Sequence, residues 1–256
     1  MSSVITVEQL SRSFRLKGRN SRTITAVDHI SFQVQQGELF GFLGPNGAGK
    51  STTIAMLTTL LLPSSGTATV AGFDIQQQRD QVRKKIGIIF QETTLDHKLT
   101  AYENLNFHGV LYGINRITRR QRITELLAMV ELSDRAHSIV QEFSGGMKRR
   151  LEIARGLLHL PEILFLDEPT LGLDPQTREH IWRYIDKIRQ TRSMTIFLTT
   201  HYLDEVENCN RVAIIDGGKI IALDQPSTLK TRYQVNTMNQ VFLEATGHGI
   251  REDELL

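Results

Sequence analysis

The chain has a single cysteine, Cys209, among 256 residues. One cysteine excludes an internal disulfide framework and fits a reducing compartment. No histidine or second cysteine is spaced with it as metal ligands usually are, so we expect a buried or incidental thiol. Long apolar runs are also missing, because stretches such as Ile163–Leu166 fall far short of the ~20 residues that span a bilayer. Met1–Val4 shows no signal-peptide pattern. We therefore expect any membrane role to involve another chain.

The charge balance gives no sign of a polyanionic partner. The net charge is +2, with 23% charged and 40% apolar residues, which is typical of a folded globular chain and argues against wholesale disorder. Basic clusters occur at 83–85, 116–122 and 148–150, and we interpret each as a solvated helix face. No nucleic-acid partner is expected.

Short apolar runs separated by helical segments indicate the core. They lack the alternation of half-exposed strands, so each predicts a strand that is buried on both faces. The pattern predicts an α/β fold with a mostly parallel sheet. The five predicted strands are 39–43, 86–90, 163–166, 195–199 and 212–215.

Two further regions surround this core. Residues 4–36 contain short β-like pieces, Val4–Val7 and Ile30–Val34, with a polar tip at Lys17–Arg22, and they predict a flanking antiparallel β-subdomain. Residues from about 92 to 160 predict an inserted helical subdomain. Two capping boxes mark helix starts there, at Thr100 with Glu103 and at Thr118 with Gln121. After the second box, an apolar stripe follows at helical spacing, formed by Ile123, Leu126, Leu127 and Val130.

The most informative motif is a glycine-rich loop between a predicted strand and a predicted helix. Residues Gly44–Ser51 match G-x-x-x-x-G-K-[ST], the phosphate loop of nucleoside triphosphatases. Glycines allow backbone N–H groups to surround phosphate oxygens, Lys50 can reach the β- and γ-phosphates, and Ser51 can offer its hydroxyl to Mg²⁺. The start of the helix favours an anion as well. The sequence therefore predicts binding of a nucleoside triphosphate.

Polar residues follow three of the predicted core strands. Asp167 and Glu168 end the strand at 163–166, where Asp167 can hold Mg²⁺ and Glu168 can activate a water molecule. Gln91 follows the strand at 86–90, and His201 follows the strand at 195–199. Ligands of open α/β sheets bind at the carboxyl ends of strands, so His201 is placed to contact a γ-phosphate, although a lone histidine is more often structural.

A second glycine pair opens another helix. Ser144 precedes Gly145 and Gly146, and an apolar stripe at Met147, Leu151, Ala154 and Leu158 follows. Ser144 is a suitable N-cap, and the glycines leave the first amides open to an anion. Both roles are compatible, because a capped helix end can also receive phosphate.

Taken together, these motifs resemble the nucleotide-binding subunit of an ATP-binding-cassette (ABC) transporter. The resemblance implies a P-loop NTPase core, and it covers 4–232 as one ABC ATPase domain with core segments 1–91 and 161–225 and a helical subdomain at about 92–160. A short tail, 233–256, would follow the predicted helix at 227–233, with mixed polar residues beyond it. The residues in and around these motifs, including His201-Tyr202-Leu203-Asp204-Glu205, are similar to those of ATPases of the daunorubicin-resistance type.

The resemblance implies a role for each matched residue. It makes Lys50, Gln91, Glu168 and His201 catalytic, with Glu168 as the base, Gln91 as the Q-loop glutamine and His201 as the switch histidine. It assigns Ser51, Gln91 and Asp167 to Mg²⁺. Nucleotide contacts would come from Phe14, Gly44, Pro45, Asn46, Gly47, Ala48, Gly49, Lys50, Ser51, Thr52, Ser144, Gly145, Gly146 and Asp174.

Two matched positions leave alternatives open, and a third position departs from the family pattern. Phe14 would stack on adenine, or it could instead pack within a strand. Asp174 would lie at the dimer seam, and it is also a good N-cap for the helix that carries Ile181, Ile185 and Ile188. Met147 stands where the family most often has glutamine, so it cannot complete a capping box with Ser144, and we expect packing to hold this helix end.

The resemblance makes Ser144, Gly145 and Gly146 the signature of the family. One chain carries one phosphate loop and one signature, so the resemblance implies two copies, or this chain and a close relative, that enclose two Mg·ATP. It also implies an exporter permease that moves a drug, lipid or polysaccharide, and a location on the cytoplasmic face of the membrane. A group from Leu95 to Tyr112, with Leu99, Tyr102, Leu105 and Phe107, could receive a permease helix. The alternatives are a non-transport ABC ATPase and an importer ATPase.

Overall fold

The computed structural model describes residues 2–16, 22–192 and 194–247. The strands are β1 (Ser3–Leu16), β2 (Arg22–Gln35), β3 (Leu39–Leu43), β4 (Ser65–Val70), β5 (Phe73–Asp74), β6 (Ile86–Ile89), β7 (Ile163–Asp167), β8 (Thr195–Thr200), β9 (Arg211–Asp216) and β10 (Lys219–Asp224). The α-helices are α1 (Lys50–Leu57), α2 (Arg79–Lys85), α3 (Ala101–Leu111), α4 (Arg116–Met129), α5 (Gly145–Leu157), α6 (Pro175–Arg192), α7 (Leu203–Val206), α8 (Pro226–Arg232) and α9 (Met238–Thr246).

The chain divides into two compact units, 1–83 with 195–256 and 84–194. In the first unit, β1 pairs antiparallel with β2 and β4, and β4 pairs with β5. This is the predicted flanking antiparallel sheet. The structure adds β4 and β5 to it, which sequence reading missed because 65–70 contains few large apolar residues.

A second sheet in this unit carries the parallel strands. β3 pairs parallel with β8 and β9, and β10 closes the edge antiparallel to β9. Every residue of β3 and β8 is buried, as their continuous apolar runs predict. Phe32 of β2 stacks on Phe40 of β3 at 5.5 Å, and Phe42 and Phe197 lie at similar ring distances. An aromatic cluster thus packs the strand that precedes the phosphate loop.

The second unit contains the other parallel pair and the helical insertion. β6 pairs with β7, Ile89 opposite Leu166, and both strands are almost wholly buried. Helices α3, α4 and α5 lie between them in the chain, as predicted. The stripe at Ile123, Leu126, Leu127 and Val130 is buried, and so are Leu151 and Ala154 of α5 and Leu158 directly after it.

The first predicted capping box is present, but the second is wrong. Thr100 accepts the Glu103 N–H, and Glu103 accepts the Thr100 N–H. At α4 the cap is instead Asn115, whose Oδ1 accepts the Thr118 N–H at 3.0 Å. The helix therefore begins before Thr118, because Asn115 already satisfies that amide.

The C-terminal region also differs from the prediction. Helix α8 matches the predicted helix at 227–233, but part of the segment interpreted as a polar tail forms α9, with Met238, Val241 and Phe242 buried. Its signals were present: Thr237 caps the Gln240 N–H, and Gly247 follows with φ of 75°. Cys209 is buried, as predicted. Residues 17–21 of the predicted polar tip lie outside the described residues, whereas Arg22 begins β2.

Candidate active site

The phosphate loop leaves the carboxyl end of β3 and enters α1. Gly49 caps the helix, and Lys50, Ser51 and Thr52 form its first turn, which has no acidic residue. Lys50 is buried, only 4% exposed, and its Nζ donates to the carbonyl oxygens of Gly44 at 2.8 Å and Pro45 at 3.0 Å. The loop therefore holds the ammonium group inward, at a helix end whose dipole favours an anion.

Three positions in this loop require glycine for different reasons. Gly49 has φ of 106°, and a Cβ there would lie 2.4 Å from the Ala26 carbonyl oxygen. A Cβ at Gly44 would lie 2.3 Å from the Ile215 carbonyl oxygen. Gly47, with φ of 77°, has open space around it and needs only the left-handed backbone. Pro45, Asn46 and Ala48 complete the turn, which the Ala48 N–H closes by donating to Pro45 O.

His201 lies next to the start of this loop. The Gly44 N–H donates to Thr200 O at 3.3 Å, so the end of β8 and the end of β3 are joined directly before His201. The His201 ring also contacts the Tyr202 ring, with centroids 4.2 Å apart. The structure thus brings His201 and the phosphate loop to one edge of the first unit's parallel sheet, as strand polarity predicted.

Phe14 lies on β1, paired with Ile24 of β2. Its ring is 36% exposed and stands under the Arg12 guanidinium, 4.7 Å from the centroid. This exposure argues against the alternative of a strand-packing phenylalanine. An accessible ring beside a cation is suited to stacking on a flat heterocycle, and the adenine contact stays a prediction.

In the second unit, the carboxyl ends of β6 and β7 bring Gln91 to the same edge as Asp167 and Glu168. Gln91 is exposed, while both carboxylates are 6% exposed. Glu168 adopts a left-handed backbone with φ of 46°, which is unfavourable for a residue with a Cβ. Buried carboxylates and a strained backbone at a strand end are typical of a catalytic position.

The signature turn packs against the turn that carries Asp174. Ser144 Oγ accepts the Met147 N–H at 3.2 Å, so Ser144 is the N-cap of α5 as predicted. A Cβ on Gly146 would lie 2.7 Å from Thr177 Cγ2. Asp174 caps α6 by accepting the Thr177 N–H at 3.0 Å and hydroxyl at 2.6 Å, and these bonds lower the pKa of Asp174 below its ordinary value. The predicted cap is therefore confirmed.

The basic cluster at 148–150 was interpreted as a solvated face, and this is wrong for Arg149. Arg149 is buried and donates to the carbonyl oxygens of Phe90 and Pro169, and it forms an ion pair with buried Glu152 at 3.1 Å. The signal in the sequence was Glu152 itself, since it stands inside the apolar run of the helix between Leu151 and Ile153. Sequence reading singled out neither residue.

Comparison with known proteins agrees with this geometry. The profile of the ABC transporter family matches residues 27–171. The chain belongs to the ABC transporter family. It is 45% identical over 229 residues to the linearmycin resistance ATP-binding protein of Bacillus subtilis, covering 89% of this chain and 72% of the relative. It is 42% identical over 214 residues to the daunorubicin/doxorubicin resistance ATP-binding protein of Streptomyces peucetius, covering 83% and 64%. The predicted resemblance to that ABC subfamily is confirmed.

Solved ABC structures have the same fold. An ATP-binding subunit of an ABC transporter superposes with a TM-score of 0.83 at 26% identity, covering 95% of this chain and 99% of that one. An ATP-binding cassette solved as a dimer in a post-hydrolysis state with ADP and phosphate gives a TM-score of 0.77 at 27% identity, covering 86% and 98%. The chain is an ATP-binding and ATP-hydrolysing subunit with the ABC ATPase fold.

Proposed function

We propose that this chain hydrolyses Mg·ATP to drive export of a drug, lipid or polysaccharide through a separate permease. Two observations support the proposal, one in each unit: the phosphate loop with its inward-held Lys50, and the buried Asp167-Glu168 pair at the end of β7. Lys50 and the loop amides bind the phosphates and stabilise the charge of the transition state. Gln91 and His201 respond to the γ-phosphate.

The donor set fits Mg²⁺. Ser51, Gln91 and Asp167 each supply oxygen, the ligand type that this hard cation prefers. In the described part of the chain, no group of three or more His, Cys, Asp or Glu side chains could hold a metal by itself. This agrees with Mg²⁺ chemistry, in which one or two protein groups act with water and substrate phosphates. When bound, the ion neutralises the charge on the β- and γ-phosphates.

Glu168 is the proposed general base. Its carboxylate accepts a proton from the attacking water, so Glu168→Gln should slow turnover by roughly 10²–10⁴ while ATP affinity is kept. The matched control is Glu162→Gln, at the opposite end of β7, where Glu162 forms an exposed ion pair with Lys85. Phosphate release and equilibrium nucleotide binding measure the two effects. Normal turnover in Glu168→Gln would remove Glu168 from this role.

The nucleotide is proposed to bind between two subunits. The Ser144 turn of one copy would contact the ATP held by the phosphate loop of the other, and Asp174 would lie at the seam. The packing of Gly146 on Thr177 supports this, because it places the signature turn beside the turn that carries Asp174.

Apolar side chains on the helical insertion support a contact with a permease. Of the predicted group, Leu95 and Leu105 are buried core, but Phe107 is 60% exposed. Val110 and Leu111, three and four residues further along α3, are exposed as well. Exposed apolar patches of this kind are typical of protein–protein contacts. No helix among the described residues is long and apolar enough to cross a membrane. We also propose that the permease holds the chain at the cytoplasmic face of the membrane.

Purification from membranes tests the transport proposal against a non-transport or importer ATPase. A tagged form of the protein, expressed together with the products of its neighbouring genes, should co-purify with a multispanning permease of exporter type. Phe107→Glu should weaken this association, and the control Leu60→Asp, at another exposed apolar site, should preserve it. Recovery of the tagged chain only from the soluble fraction, without a permease, would contradict the proposal.

A further inference from the structure

The Arg149 side chain connects three segments of the second unit. Its Nε donates to Pro169 O at 2.6 Å, and its Nη2 lies 3.2 Å from Glu168 O and 3.3 Å from Asp167 O. Its Nη1 donates to Phe90 O, directly before Gln91. One guanidinium on α5 thus binds three consecutive carbonyl groups at the end of β7 and one at the end of β6. The planar fork of arginine suits such divided bonding, and a lysine ammonium does not.

Glu152 completes the arrangement one turn along α5. Its Oε2 pairs with Arg149 Nη1, and its Oε1 accepts the Thr94 N–H at 2.9 Å. Both side chains of the pair are less than a tenth exposed. The backbone on either side of Gln91, at Phe90 and Thr94, is therefore bonded to the same helix. A buried charge pair persists only with such additional hydrogen bonds.

The carbonyls that Arg149 binds belong to a strained turn. Glu168 has φ of 46°, and its carbonyl accepts both the Arg149 Nη2 bond and the Leu171 N–H at 3.2 Å. Strained conformations persist where the surroundings hold them at several points. Arg149 holds the strained conformation of Glu168 through bonds to the carbonyl of Glu168 itself and to those of the residues on either side, Asp167 and Pro169.

We propose that Arg149, paired with Glu152, is a positioning residue that sets the orientation of Glu168 through the backbone, without contact with the nucleotide. The proposal rests on the proposed function, because it takes Glu168 as the base. Helix α5 begins at the Ser144 cap. The bonds therefore also join the signature turn to the turn that carries the base.

The first test is Arg149→Lys, which keeps the charge and loses the fork. We expect kcat to fall at least tenfold while the KM for ATP and the affinity for a non-hydrolysable ATP analogue stay within about twofold. The matched control is Arg150→Lys on the same helix, because Arg150 Nη1 donates to Val130 O and does not contact the end of β7. Equal turnover in Arg149→Lys and Arg150→Lys would overturn the proposal.

A second variant separates positioning from stability. Arg149→Met alone leaves Glu152 as a buried unpaired charge and can fail to fold. The double variant Arg149→Met/Glu152→Met removes both charges, and we expect its Tm to recover to near that of the wild type while kcat stays low. Recovery of kcat together with Tm would show a structural ion pair only and would overturn the proposal.

A third comparison tests whether Arg149 acts through Glu168. Residues that act as a unit have non-additive effects, so Arg149→Lys/Glu168→Gln should hydrolyse ATP within about threefold of Glu168→Gln in single-turnover assays. Multiplied effects would mean that Arg149 acts elsewhere and would overturn the inference, leaving the base assignment intact. If Glu168→Gln alone keeps full turnover, the proposed function fails first, which is a separate outcome.

Discussion

Several charged side chains of this protein are buried, and each has an identified partner or role. Lys50 donates to loop carbonyls, Arg149 and Glu152 pair with each other, and Asp167 and Glu168 close a buried strand. Burial of a charge is costly unless hydrogen bonds or an opposite charge offset it. Charged residues within or directly after apolar runs therefore lower the stability of the fold unless they are paired, and they are the first candidates for a functional role.

His108 gives a prediction at the same scale. It lies on α3 with its ring near Tyr112 and His159, and burial lowers its pKa to about 4, with smaller effects from the charges of Arg155 and His159. In the unfolded chain His108 is protonated with the ordinary histidine pKa of about 6.5, whereas in the folded protein it stays neutral at that pH. The stability that neutral His108 allows is therefore present above about pH 6.5 and is lost as the pH falls toward 4.

Between pH 7 and pH 5 this loss should amount to about 1–2 kcal/mol. His108→Gln should remove that part of the acid sensitivity, as measured by urea unfolding at both pH values. The control is His97→Gln, because His97 is exposed. An unchanged pH slope in His108→Gln would contradict the role of burial.

At the scale of elements, strand existence was predictable and helix ends were less so. The buried parallel strands follow from apolar runs alone, and their bounds agree with prediction within a residue. The start of a helix depends on which of several nearby polar residues occupies the N-cap position. Near α4, both Asn115 and Thr118 have suitable side chains, and the three-dimensional course of the chain selected Asn115.

The caps of α3 and α4 give a second prediction. Thr100→Ala and Asn115→Ala should each cost about 1 kcal/mol, because each removes a bond to an otherwise unsatisfied helix amide. Thr118→Ala should cost only a few tenths of a kcal/mol, since Thr118 lies inside the first turn of α4. Urea unfolding of the three variants measures the difference. A loss at Thr118 as large as that at Asn115 would contradict the observed start of the helix.

At the scale of the whole molecule, one chain has one phosphate loop and one signature turn. ABC ATPases related to it act as dimers, and a relative of the same fold has been solved as a dimer with ADP and phosphate. If each site combines the loop of one copy with the signature of the other, two differently inactivated chains should complement each other.

The third prediction is a mixing experiment with Lys50→Ala and Ser144→Arg. Each variant alone should be inactive, because both of its composite sites lack one half. A mixed dimer contains one site with both halves intact, so an equimolar mixture should regain up to about a quarter of the wild-type rate. The double variant Lys50→Ala/Ser144→Arg, mixed with the wild type in the same ratio, is the control for dilution. No recovery in the first mixture would contradict a shared site.

The sequence by itself determined the nucleotide chemistry and the family. The phosphate loop, the Asp167-Glu168 pair and the Ser144 turn are each encoded in a short contiguous segment, where local backbone geometry and the neighbouring strand or helix are enough to assign a role. Only the tertiary structure decided which charges are buried and which bonds hold the turn at Glu168. The Arg149 network joins 90–94, 149–152 and 167–169. The position of Glu152 within the apolar run of α5 is a sign of a buried charge, but side-chain identities do not show which backbone carbonyls the guanidinium binds. These partners meet only when β6, β7 and α5 pack together, because a carbonyl group is available at every residue and folding alone selects which ones face the guanidinium.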